Sequence, residues 1–454
     1  MINSILKKIV IDKISWIKDR KKKEPLDKFQ NFLKKSERNF YSSLSRKKPN
    51  FILEYKKKSP SLGILNKYLS ISKISEIYKK YANSISVLTD EKYFLGKFEY
   101  LNIIRKNVSQ PILCKDFFID PYQIYLARYY GADAVLLMLS ILNDHQYLFL
   151  SDLAKKLNMG ILTEIHDKKE LNRAIYLKAK IIGINNRNLN DLSVNINKTK
   201  ELAPLIPKNI ITISESGIND YSQIRKLSKI VDGFLIGTSL MKSNNLNLDI
   251  RKLILGNNKI CGLTNLKDAK KVKNSGAIYG GLIFCPYSKR KISINTAKIL
   301  TNSINFNYVG VFQNSSMDFI LSVIKKVTLK AIQLHGDENQ EYISSLRKKI
   351  PKNIAIWKVY SISKKFPSLN LKNVDYYLFD NLNGGSGKTF DWSIVKNKKL
   401  GKVLLSGGIN KNNCLSASKL GFCGLDFNSG VEKKIGIKSN KKIKSVFKIL
   451  RNYS

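Results

Sequence analysis

The chain has 454 residues, a length that fits about two ordinary domains, and 43% of them are hydrophobic, which argues against wholesale disorder. Its formal net charge is +46, because 80 Lys and Arg residues outweigh 34 Asp and Glu residues. The five cysteines lack metal-ligand spacing and the three histidines form no HxH or HExxH pair. The composition therefore indicates neither a disulfide framework nor a zinc site, and we expect no metal and no cofactor.

The basic charge invites the interpretation that the protein binds nucleic acid. The lysines, however, are scattered along the whole chain and rarely form blocks with interleaved aromatic residues. Lys, Asn, Ile and Tyr are abundant together, which is what AT-rich codon usage produces. The charge alone therefore does not decide between functions.

The N-terminal segment Met1–Lys23 is basic and has isoleucines at helical spacing. A transit peptide can have this composition, but Asp12 and Asp19 favour an ordinary surface helix. No apolar run approaches the roughly 20 residues of a membrane helix. We therefore expect a cytoplasmic protein.

Through the first half of the chain, short apolar segments alternate with longer segments of helical periodicity. We predict strands at Phe51–Lys56, Ile85–Thr89, Pro111–Lys115, Ala134–Met138, Gly160–Glu164, Ile181–Asn185, Ile210–Glu215 and Gly233–Gly237. Alternating strands and helices give a parallel sheet with right-handed crossovers. Eight such units within about 200 residues predict a closed (β/α)8 barrel, the TIM-barrel fold of the α/β class.

The same alternation then starts again. We predict a second set of strands at Lys259–Leu263, Tyr279–Phe284, Tyr308–Phe312, Leu329–Leu334, Ala355–Val359, Tyr376–Asp380, Lys402–Ser406 and Gly424–Asn428. A Gly-Asn-Asn sequence interrupts the helix between the two sets. We therefore predict two consecutive TIM barrels, one in residues 1–256 and one in residues 257–454.

Two similar segments occupy matching places in the two sets. Ser214–Asn219 reads SESGIN and is followed by Gly237, whereas Ser406–Asn410 reads SGGIN and is followed by Asn428-Ser429-Gly430. In both sets the small residues lie at the ends of the predicted seventh and eighth strands, where this fold builds phosphate sites from backbone N–H groups. One such segment could be a tight turn, but two at matching places favour phosphate binding.

Charged and polar residues collect at the predicted carboxyl ends of the first set of strands, where they point into the active site of this fold. They are Glu54, Lys56, Lys115, Glu164, Asn185 and Glu215. Any one could be a solvated loop charge, but their shared rim favours general acid–base catalysis. A lysine and two glutamates in a partly dehydrated mouth are expected to have pKa values moved towards neutrality.

The first half is similar to indole-3-glycerol phosphate synthase in the segments FILEYKKKSPS, SVLTDEKYFLG, PILCKDFFIDPYQIY, LTEIHD, IIGINNRNL, ISESGI and GFLIGTSLM. The resemblance implies that Lys115 is the general acid for ring closure, that Glu164 has acid–base roles in the dehydration, and that Glu54 and Lys56 orient substrate and tune Lys115. It implies contacts with substrate or its phosphate for Ser59, Asn185, Arg187, Glu215, Ser216, Gly217, Gly237 and Thr238. The implied reaction closes the ring of 1-(2-carboxyphenylamino)-1-deoxyribulose 5-phosphate, with loss of carbon dioxide and water.

In the second half, the first predicted strand leads into ICGLT, and Asp380 ends the sixth strand just before a GGSGKTF loop. A cysteine is most often a buried, inert side chain. Cys261 differs because Asp380 is an available acid partner, and a thiolate with a carboxylic acid suits a proton shift between carbon and oxygen. Arg290, after the second strand, could pair with a substrate carboxylate through two hydrogen bonds.

The second half is similar to phosphoribosylanthranilate isomerase in the segments KICGLTN, YGGLIF, YVGVFQN, IQLHGDE, LFDNLNGGSGKTFDW, LLSGGI and GLDFNSGVE. The resemblance implies an Amadori rearrangement with Cys261 as general base, Asp380 as general acid and Arg290 on the anthranilate carboxylate. It implies substrate or phosphate contacts for His335, Gly408, Asp426, Ser429 and Gly430. The departures from the family pattern are Ser406 and Ile409, where Ala and Leu are commoner.

The two resemblances support each other, because the product of the implied isomerase is the substrate of the implied synthase. The order synthase-then-isomerase is also that of known bacterial fusions. Two alternatives stay open: another pair of barrels that process phosphosugars, and a basic nucleic-acid-binding protein, which would bind with a steep dependence on salt. We expect small phosphosugar substrates, no specific nucleic-acid partner, no membrane, and a monomer.

Overall fold

The computed structural model describes residues 5–45, 49–65, 69–188, 191–363, 365–381 and 389–451. The chain forms two compact units, which divide mainly between Ile250 and Arg251. Each unit contains one closed barrel of eight parallel strands. None of the helices in the described ranges combines the length and the apolar character that crossing a membrane requires.

The first barrel consists of strands β1–β8, which follow one another around it. Strand β1 is hydrogen-bonded to both β2 and β8, and this pairing closes the sheet. The strands are β1 (Asn50–Tyr55), β2 (Ser84–Leu88), β3 (Ile112–Lys115), β4 (Ala134–Met138), β5 (Gly160–Ile165), β6 (Ile181–Asn185), β7 (Ile211–Glu215) and β8 (Gly233–Ile236).

The second barrel repeats this order with strands β9–β16, and β9 pairs with both β10 and β16. The strands are β9 (Lys259–Ile260), β10 (Tyr279–Ile283), β11 (Asn307–Phe312), β12 (Ala331–Leu334), β13 (Ala355–Ile362), β14 (Tyr376–Asn381), β15 (Val403–Leu405) and β16 (Gly424–Phe427). Two small hairpins lie outside the barrels, Lys58–Ser59 with Gly63–Ile64, and Glu432–Lys434 with Ile437–Lys438.

Helices connect the strands of both barrels. In the first unit they are α1 (Ile5–Lys23), α2 (Asp27–Gln30), α3 (Phe40–Ser45), α4 (Ile71–Tyr78), α5 (Glu91–Phe94), α6 (Glu99–Asn107), α7 (Pro121–Tyr129), α8 (Asp144–Lys156), α9 (Lys168–Tyr176), α10 (Asn197–Leu202), α11 (Tyr221–Leu227), α12 (Thr238–Met241) and α13 (Leu246–Leu255). The rest are α14 (Leu266–Lys273), α15 (Ile294–Ser303), α16 (Met317–Lys326), α17 (Gln340–Lys349), α18 (Cys414–Ser418) and α19 (Asn440–Arg451). Short 3-10 turns occur at Ala203–Leu205, Trp392–Val395 and Ser429–Val431.

The predicted fold class, two consecutive TIM barrels, is confirmed, and each predicted strand is present with ends that differ by a few residues. The largest shortening is in β9, which was expected to reach Leu263 and ends at Ile260. The physical reason is Gly262, whose left-handed backbone (φ +70°) turns the chain out of the strand. Gly256, also left-handed (φ +87°), follows the last residue of α13, so the predicted helix break is confirmed.

The expectation of an ordinary surface helix at the N-terminus is wrong in one respect. Helix α1 carries Lys13, whose side chain is only 2% exposed and lies between two carboxylates of the first barrel. Its Nζ is 2.8 Å from Oδ2 of Asp90 and 2.7 Å from Oδ1 of Asp116. Asp116 follows Lys115 directly, so this ion pair attaches the helix beside the end of β3.

We expect Lys13→Met to destabilise the first barrel, because the variant leaves two buried carboxylates without their cation. Removing one partner of a buried ion pair costs about 3–5 kcal/mol. The free energy of unfolding should fall by about 3 kcal/mol at neutral pH. It can be measured by urea denaturation, following the fluorescence of Trp16 in a chain with Trp357→Phe and Trp392→Phe.

The matched control is Lys21→Met on the same helix. Lys21 pairs with Asp120, but its side chain is 45% exposed. This variant should cost less than about 1 kcal/mol, as exposed ion pairs do. Equal losses in the two variants would contradict a special role for the Lys13 ion pair.

Candidate active sites

A cavity of about 380 Å³ opens at the carboxyl ends of the strands of the first barrel. Most of the site residues predicted for this barrel line it, namely Glu54, Lys56, Lys115, Glu164, Asn185, Arg187, Glu215, Ser216, Gly217, Gly237 and Thr238. Ser59 is the exception. It lies in the Lys58–Ser59 hairpin strand, where its side chain is buried.

The ammonium group of Lys115 is at the centre of this cavity. Its Nζ is 3.0 Å from Oε2 of Glu164 and 3.1 Å from Oε2 of Glu215, and both carboxylates are almost completely buried. Asn185 donates a hydrogen bond of 3.1 Å from its Nδ2 to the other oxygen of Glu164. One cation thus holds two carboxylates from different strands within reach of the same ligand.

The pKa values of these groups correct one prediction. Burial would lower the pKa of Lys115, but the charges of Glu164 and Glu215 raise it above its ordinary value. Burial would raise the pKa of Glu164, but Lys115 and His166 lower it. Burial and the charge of Glu164 raise the pKa of Glu215 to about 7. Only Glu215 therefore moves towards neutrality, and the expectation for the lysine and for Glu164 was wrong because the opposite charges outweigh burial.

Two glycines make room for the carboxylates of this site. A Cβ atom on Gly183 would collide with Oε1 of Glu215, and one on Gly237 would collide with Oε1 of Glu54. Glu54 in turn forms an ion pair of 2.7 Å with Lys56, two residues along the chain. The barrel mouth can therefore hold these acidic side chains only because the residues opposite them are glycines.

The second barrel has its own cavity, of about 560 Å³, at the corresponding end. The predicted residues that line it are Cys261, Arg290, His335, Asp380, Gly408, Asp426 and Ser429. Gly430 is not on the cavity wall. It packs in the Ser429–Val431 turn, where a Cβ atom would collide with the backbone oxygen of Ile409. Residues 384–388 of the GGSGKTF loop lie outside the described residues.

Beneath Cys261 lies a buried ion pair that the sequence analysis missed. The side chain of Lys259 is fully buried, and its Nζ is 2.6 Å from Oδ2 of Asp426. The pKa of the Cys261 thiol is raised above its ordinary value, because burial outweighs the charge of Lys259 and the hydrogen bond with Lys259. Lys259 is two residues before Cys261, so strand alternation would have indicated that the two side chains share a face.

The pKa of Asp380 is shifted in the direction that a general acid requires. Burial raises its pKa above the ordinary value. Nε2 of His335 is 3.6 Å from Oδ2 of Asp380. Burial and the charge of Lys259 lower the pKa of His335 to about 4, so this histidine is neutral at pH 7 and does not stabilise the ionised aspartate as a cation would.

Arg290 already has a carboxylate partner from its own chain. Its Nε and Nη2 donate hydrogen bonds of 2.9 and 2.8 Å to the two oxygens of Glu432. Lys438 also donates to Glu432, at 2.8 Å. Because a guanidinium group has five N–H donors, this arrangement leaves donors for a substrate carboxylate at the other edge. Glu432 belongs to the SGVE sequence, but its role was not predicted.

The two predicted phosphate loops share an unusual backbone conformation. Ser216 and Gly217 both have positive φ angles (+64° and +80°), as do Gly407 and Gly408 (+81° and +64°). Turns of this kind can present successive backbone N–H groups to an anion. The loops lie on the walls of the first and second cavity, respectively.

Family comparisons match the two barrels separately. Residues 6–253 match the model described as indole-3-glycerol phosphate synthase, and residues 258–449 match the model described as N-(5'phosphoribosyl)anthranilate (PRA) isomerase. Neither description is of a nucleic-acid-binding domain or of another phosphosugar enzyme. The comparisons therefore give no support to either alternative.

Relatives match the whole chain. The tryptophan biosynthesis protein TrpCF of Buchnera aphidicola subsp. Diuraphis noxia is 58% identical, and the match covers 100% of both chains. The protein of the same name from Salmonella typhi is 50% identical, again over 100% of both chains. The crystal structure of phosphoribosyl anthranilate isomerase from Thermotoga maritima is 34% identical over 43% of this chain and 98% of that chain, with a TM-score of 0.38.

We predict that Glu215 carries a proton that titrates near neutral pH. Burial raises its pKa to about 7, so its carboxyl group should be largely protonated at pH 6 and ionised at pH 8. Infrared difference spectra should contain a protonated-carboxyl band that disappears with this pKa and is absent from Glu215→Gln. Glu164→Gln should shift the titration to lower pH, because the neighbouring charge that raises the pKa is removed.

The control is Glu76→Gln, whose side chain is 61% exposed. It should leave the band unchanged. A band that persists in Glu215→Gln would assign the protonated carboxyl group to another residue.

Proposed function

Because the chain belongs to the family of bifunctional tryptophan biosynthesis proteins in which an indole-3-glycerol phosphate synthase domain precedes a phosphoribosylanthranilate isomerase domain, we propose that its barrels catalyse two consecutive reactions. The second barrel isomerises N-(5-phosphoribosyl)anthranilate to 1-(2-carboxyphenylamino)-1-deoxyribulose 5-phosphate. The first barrel cyclises, decarboxylates and dehydrates that product to indole-3-glycerol phosphate. We place the domain boundary between residues 256 and 257, after the left-handed Gly256.

In the first barrel, Lys115 is the general acid that protonates the carbonyl oxygen as the ring closes. The observation that carries this proposal is the position of its ammonium group between Glu164 and Glu215. Glu164 is ionised and accepts or returns protons around the dehydration, and Glu215 with Asn185 orients substrate. The Glu54–Lys56 pair orients substrate and adjusts the charge around Lys115.

In the second barrel, Cys261 removes the proton from C2 of the sugar and Asp380 protonates the ring oxygen. The raised pKa of Asp380 supports its role as the acid. The ammonium of Lys259 offsets part of the burial effect that raises the pKa of Cys261. Arg290, held by Glu432, binds the anthranilate carboxylate through its remaining donors, and His335 and Asp426 contact substrate.

The substrate phosphates bind at the paired loops of the two barrels. In the first barrel the groups are Ser59, Ser216, Gly217, Gly237 and Thr238, and Arg187 contacts another part of the substrate. In the second they are Gly408, Ser429 and Gly430. The left-handed backbone of both loops supports this assignment. Ser59 and Gly430 do not line the cavities themselves.

We further propose that the protein acts as a monomer in the cytoplasm. Each cavity is lined by residues of one barrel of the same chain, so neither needs a residue from a second copy. Size-exclusion chromatography with light scattering measures the oligomeric state. A dimeric mass would contradict this part of the proposal.

The experiment that tests the function supplies purified protein with freshly generated phosphoribosylanthranilate and follows the formation of indole-3-glycerol phosphate. Its appearance establishes both reactions in one chain. Accumulation of the aminodeoxyribulose would support the proposed isomerase activity and contradict the proposed synthase activity. If the chain leaves both this substrate and separately supplied aminodeoxyribulose unchanged, the whole proposal fails.

Lys115→Ala should remove synthase activity and leave isomerase activity intact. Loss of a general acid costs about 10²–10⁴-fold in rate, and we expect kcat of the synthase to fall at least a hundredfold by this principle. Lys155→Ala, at an exposed position of the same barrel, is the matched control. A near-native synthase rate in a folded Lys115→Ala protein would remove Lys115 from the mechanism.

Cys261→Ser should reduce isomerase turnover by about 10²-fold or more, because a hydroxyl is a far weaker base than a thiolate. Synthase activity, measured with supplied aminodeoxyribulose, should not change. Cys414→Ser, a buried cysteine of the same barrel that does not line the cavity, is the control. Loss of both activities together would argue against two independent sites.

A further inference from the structure

Two phenylalanines form part of the apolar wall of the first cavity. Phe94 is the last residue of α5, Phe117 follows β3, and both line the cavity that contains Lys115. Their ring centroids are 6.3 Å apart, and the ring planes are tilted by 38°. The proposed synthase substrate has a carboxyphenyl ring, and such a ring packs favourably against aromatic side chains. The phenylalanine pair is therefore a candidate contact for the substrate ring.

Each phenylalanine is held by a neighbouring aspartate. Oδ1 of Asp90 accepts a hydrogen bond of 2.8 Å from the backbone N–H of Tyr93 and so caps α5, which ends at Phe94. Oδ1 of Asp116 accepts a hydrogen bond of 2.7 Å from the backbone N–H of Phe117. The positions of both rings therefore depend on where these two carboxylates lie.

Lys13 of α1 joins the two aspartates. Its Nζ is 2.8 Å from Oδ2 of Asp90, the oxygen that does not cap α5, and 2.7 Å from Oδ1 of Asp116. Thr89 adds a direct link, because its hydroxyl donates a hydrogen bond of 2.7 Å to Oδ2 of Asp116. All four side chains are buried. A buried network of paired polar groups is rigid, so the loops after β2 and β3 are fixed relative to each other.

Helix α1 makes a second contact with the loop that carries Phe94. The hydroxyl of Tyr93 donates a hydrogen bond to Asp12, and Nζ of Lys92 is 2.8 Å from Oδ2 of Asp12. Lys115, by contrast, has its carboxylate partners on β5 and β7. Helix α1 therefore acts on the ring wall of the cavity rather than on the ammonium group proposed to move protons.

We propose that Lys13 is a positioning residue for the synthase substrate, which fixes the loops after β2 and β3 so that Phe94 and Phe117 hold the carboxyphenyl ring. This inference rests on the proposed synthase function. It gives α1, which precedes the first strand of the barrel, a part in substrate binding. Lys13 exchanges no proton in this role, so its effect is on binding and not on the chemical steps.

The test uses supplied aminodeoxyribulose as substrate and two inhibitors: indole-3-glycerol phosphate, which has an aromatic ring, and inorganic phosphate, which has none. In Lys13→Met we expect KM and the inhibition constant of indole-3-glycerol phosphate to rise about 3- to 10-fold, the size of an aromatic contact. The value of kcat should change less than about twofold, because binding to ground state and transition state is lost equally. The inhibition constant of inorganic phosphate should not change, which also shows that the barrel is folded.

Asp90→Asn separates position from charge. Its Oδ1 still caps α5, but its amide N–H groups face the Lys13 ammonium and break the link. Lys13→Met removes a positive charge near an anionic substrate and Asp90→Asn removes a negative one, so a charge effect would move the two KM values in opposite directions. Positioning raises both. Lys21→Met, on the same helix with an exposed ion pair, is the matched control and should leave KM unchanged.

A double-mutant cycle connects Asp90 with its phenylalanine. Phe94→Leu should raise the inhibition constant of indole-3-glycerol phosphate by a similar factor. Adding Asp90→Asn to Phe94→Leu should have little further effect, because residues that act through each other are not additive. Effects that multiply in the double variant would contradict the proposal.

An unchanged KM in both folded variants overturns the positioning role. So do opposite changes in the two variants, which would report charge alone, and an equal rise for inorganic phosphate, which would report loss of structure. If Lys13→Met does not fold, Asp90→Asn and the cycle decide the question. None of these results affects the synthase assignment, since wild-type protein would still form indole-3-glycerol phosphate. If wild-type protein leaves the aminodeoxyribulose unchanged, the synthase proposal fails and this inference fails with it.

Discussion

Closure of eight parallel strands requires all of them to end at the same rim, and both sites of this chain depend on that constraint. Lys115 and Glu215 are far apart in sequence and on strands that lie across the barrel from each other, β3 and β7. Their side chains come within about 3 Å because both strands end at one narrow rim. As a result, charged side chains are crowded together at the rim. The protein accommodates it with a cation among the carboxylates and with glycines on neighbouring strands, such as Gly183, where any side chain would displace an acidic group.

The two sites use this geometry in different ways. In the first, one ammonium group lies between two carboxylates, so one carboxylate stays ionised while the other has a pKa near neutrality. In the second, a buried lysine, Lys259, lies beneath a thiol. The first arrangement suits a reaction with several proton transfers, and the second suits removal of one proton from carbon. The overall charge of +46 does not determine the electrostatics of either site, because each site depends on a few ion pairs between neighbouring side chains.

The sequence predicted the strands and most of the site residues because the relevant information is local: apolar alternation, glycine breaks and polar residues at strand ends. It did not predict the partners that fix the position of those residues or change their pKa values. Glu432 is 142 positions from Arg290, and only the closed barrel brings the two together. The pKa of Lys115 was predicted in the wrong direction for the same reason, since burial was visible in the sequence pattern but the close approach of Glu164 and Glu215 was not.

The pairing of Arg290 with Glu432 has a consequence for ligand affinity. A free arginine side chain has roughly 2 kcal/mol of rotamer entropy, and a ligand that fixes it loses that amount from its binding free energy. Here two hydrogen bonds to Glu432 fix the side chain during folding, before any ligand arrives. The guanidinium therefore meets an incoming carboxylate as a rigid surface, and ligands that differ in the position of that carboxylate are distinguished by geometry, because the arginine cannot follow them.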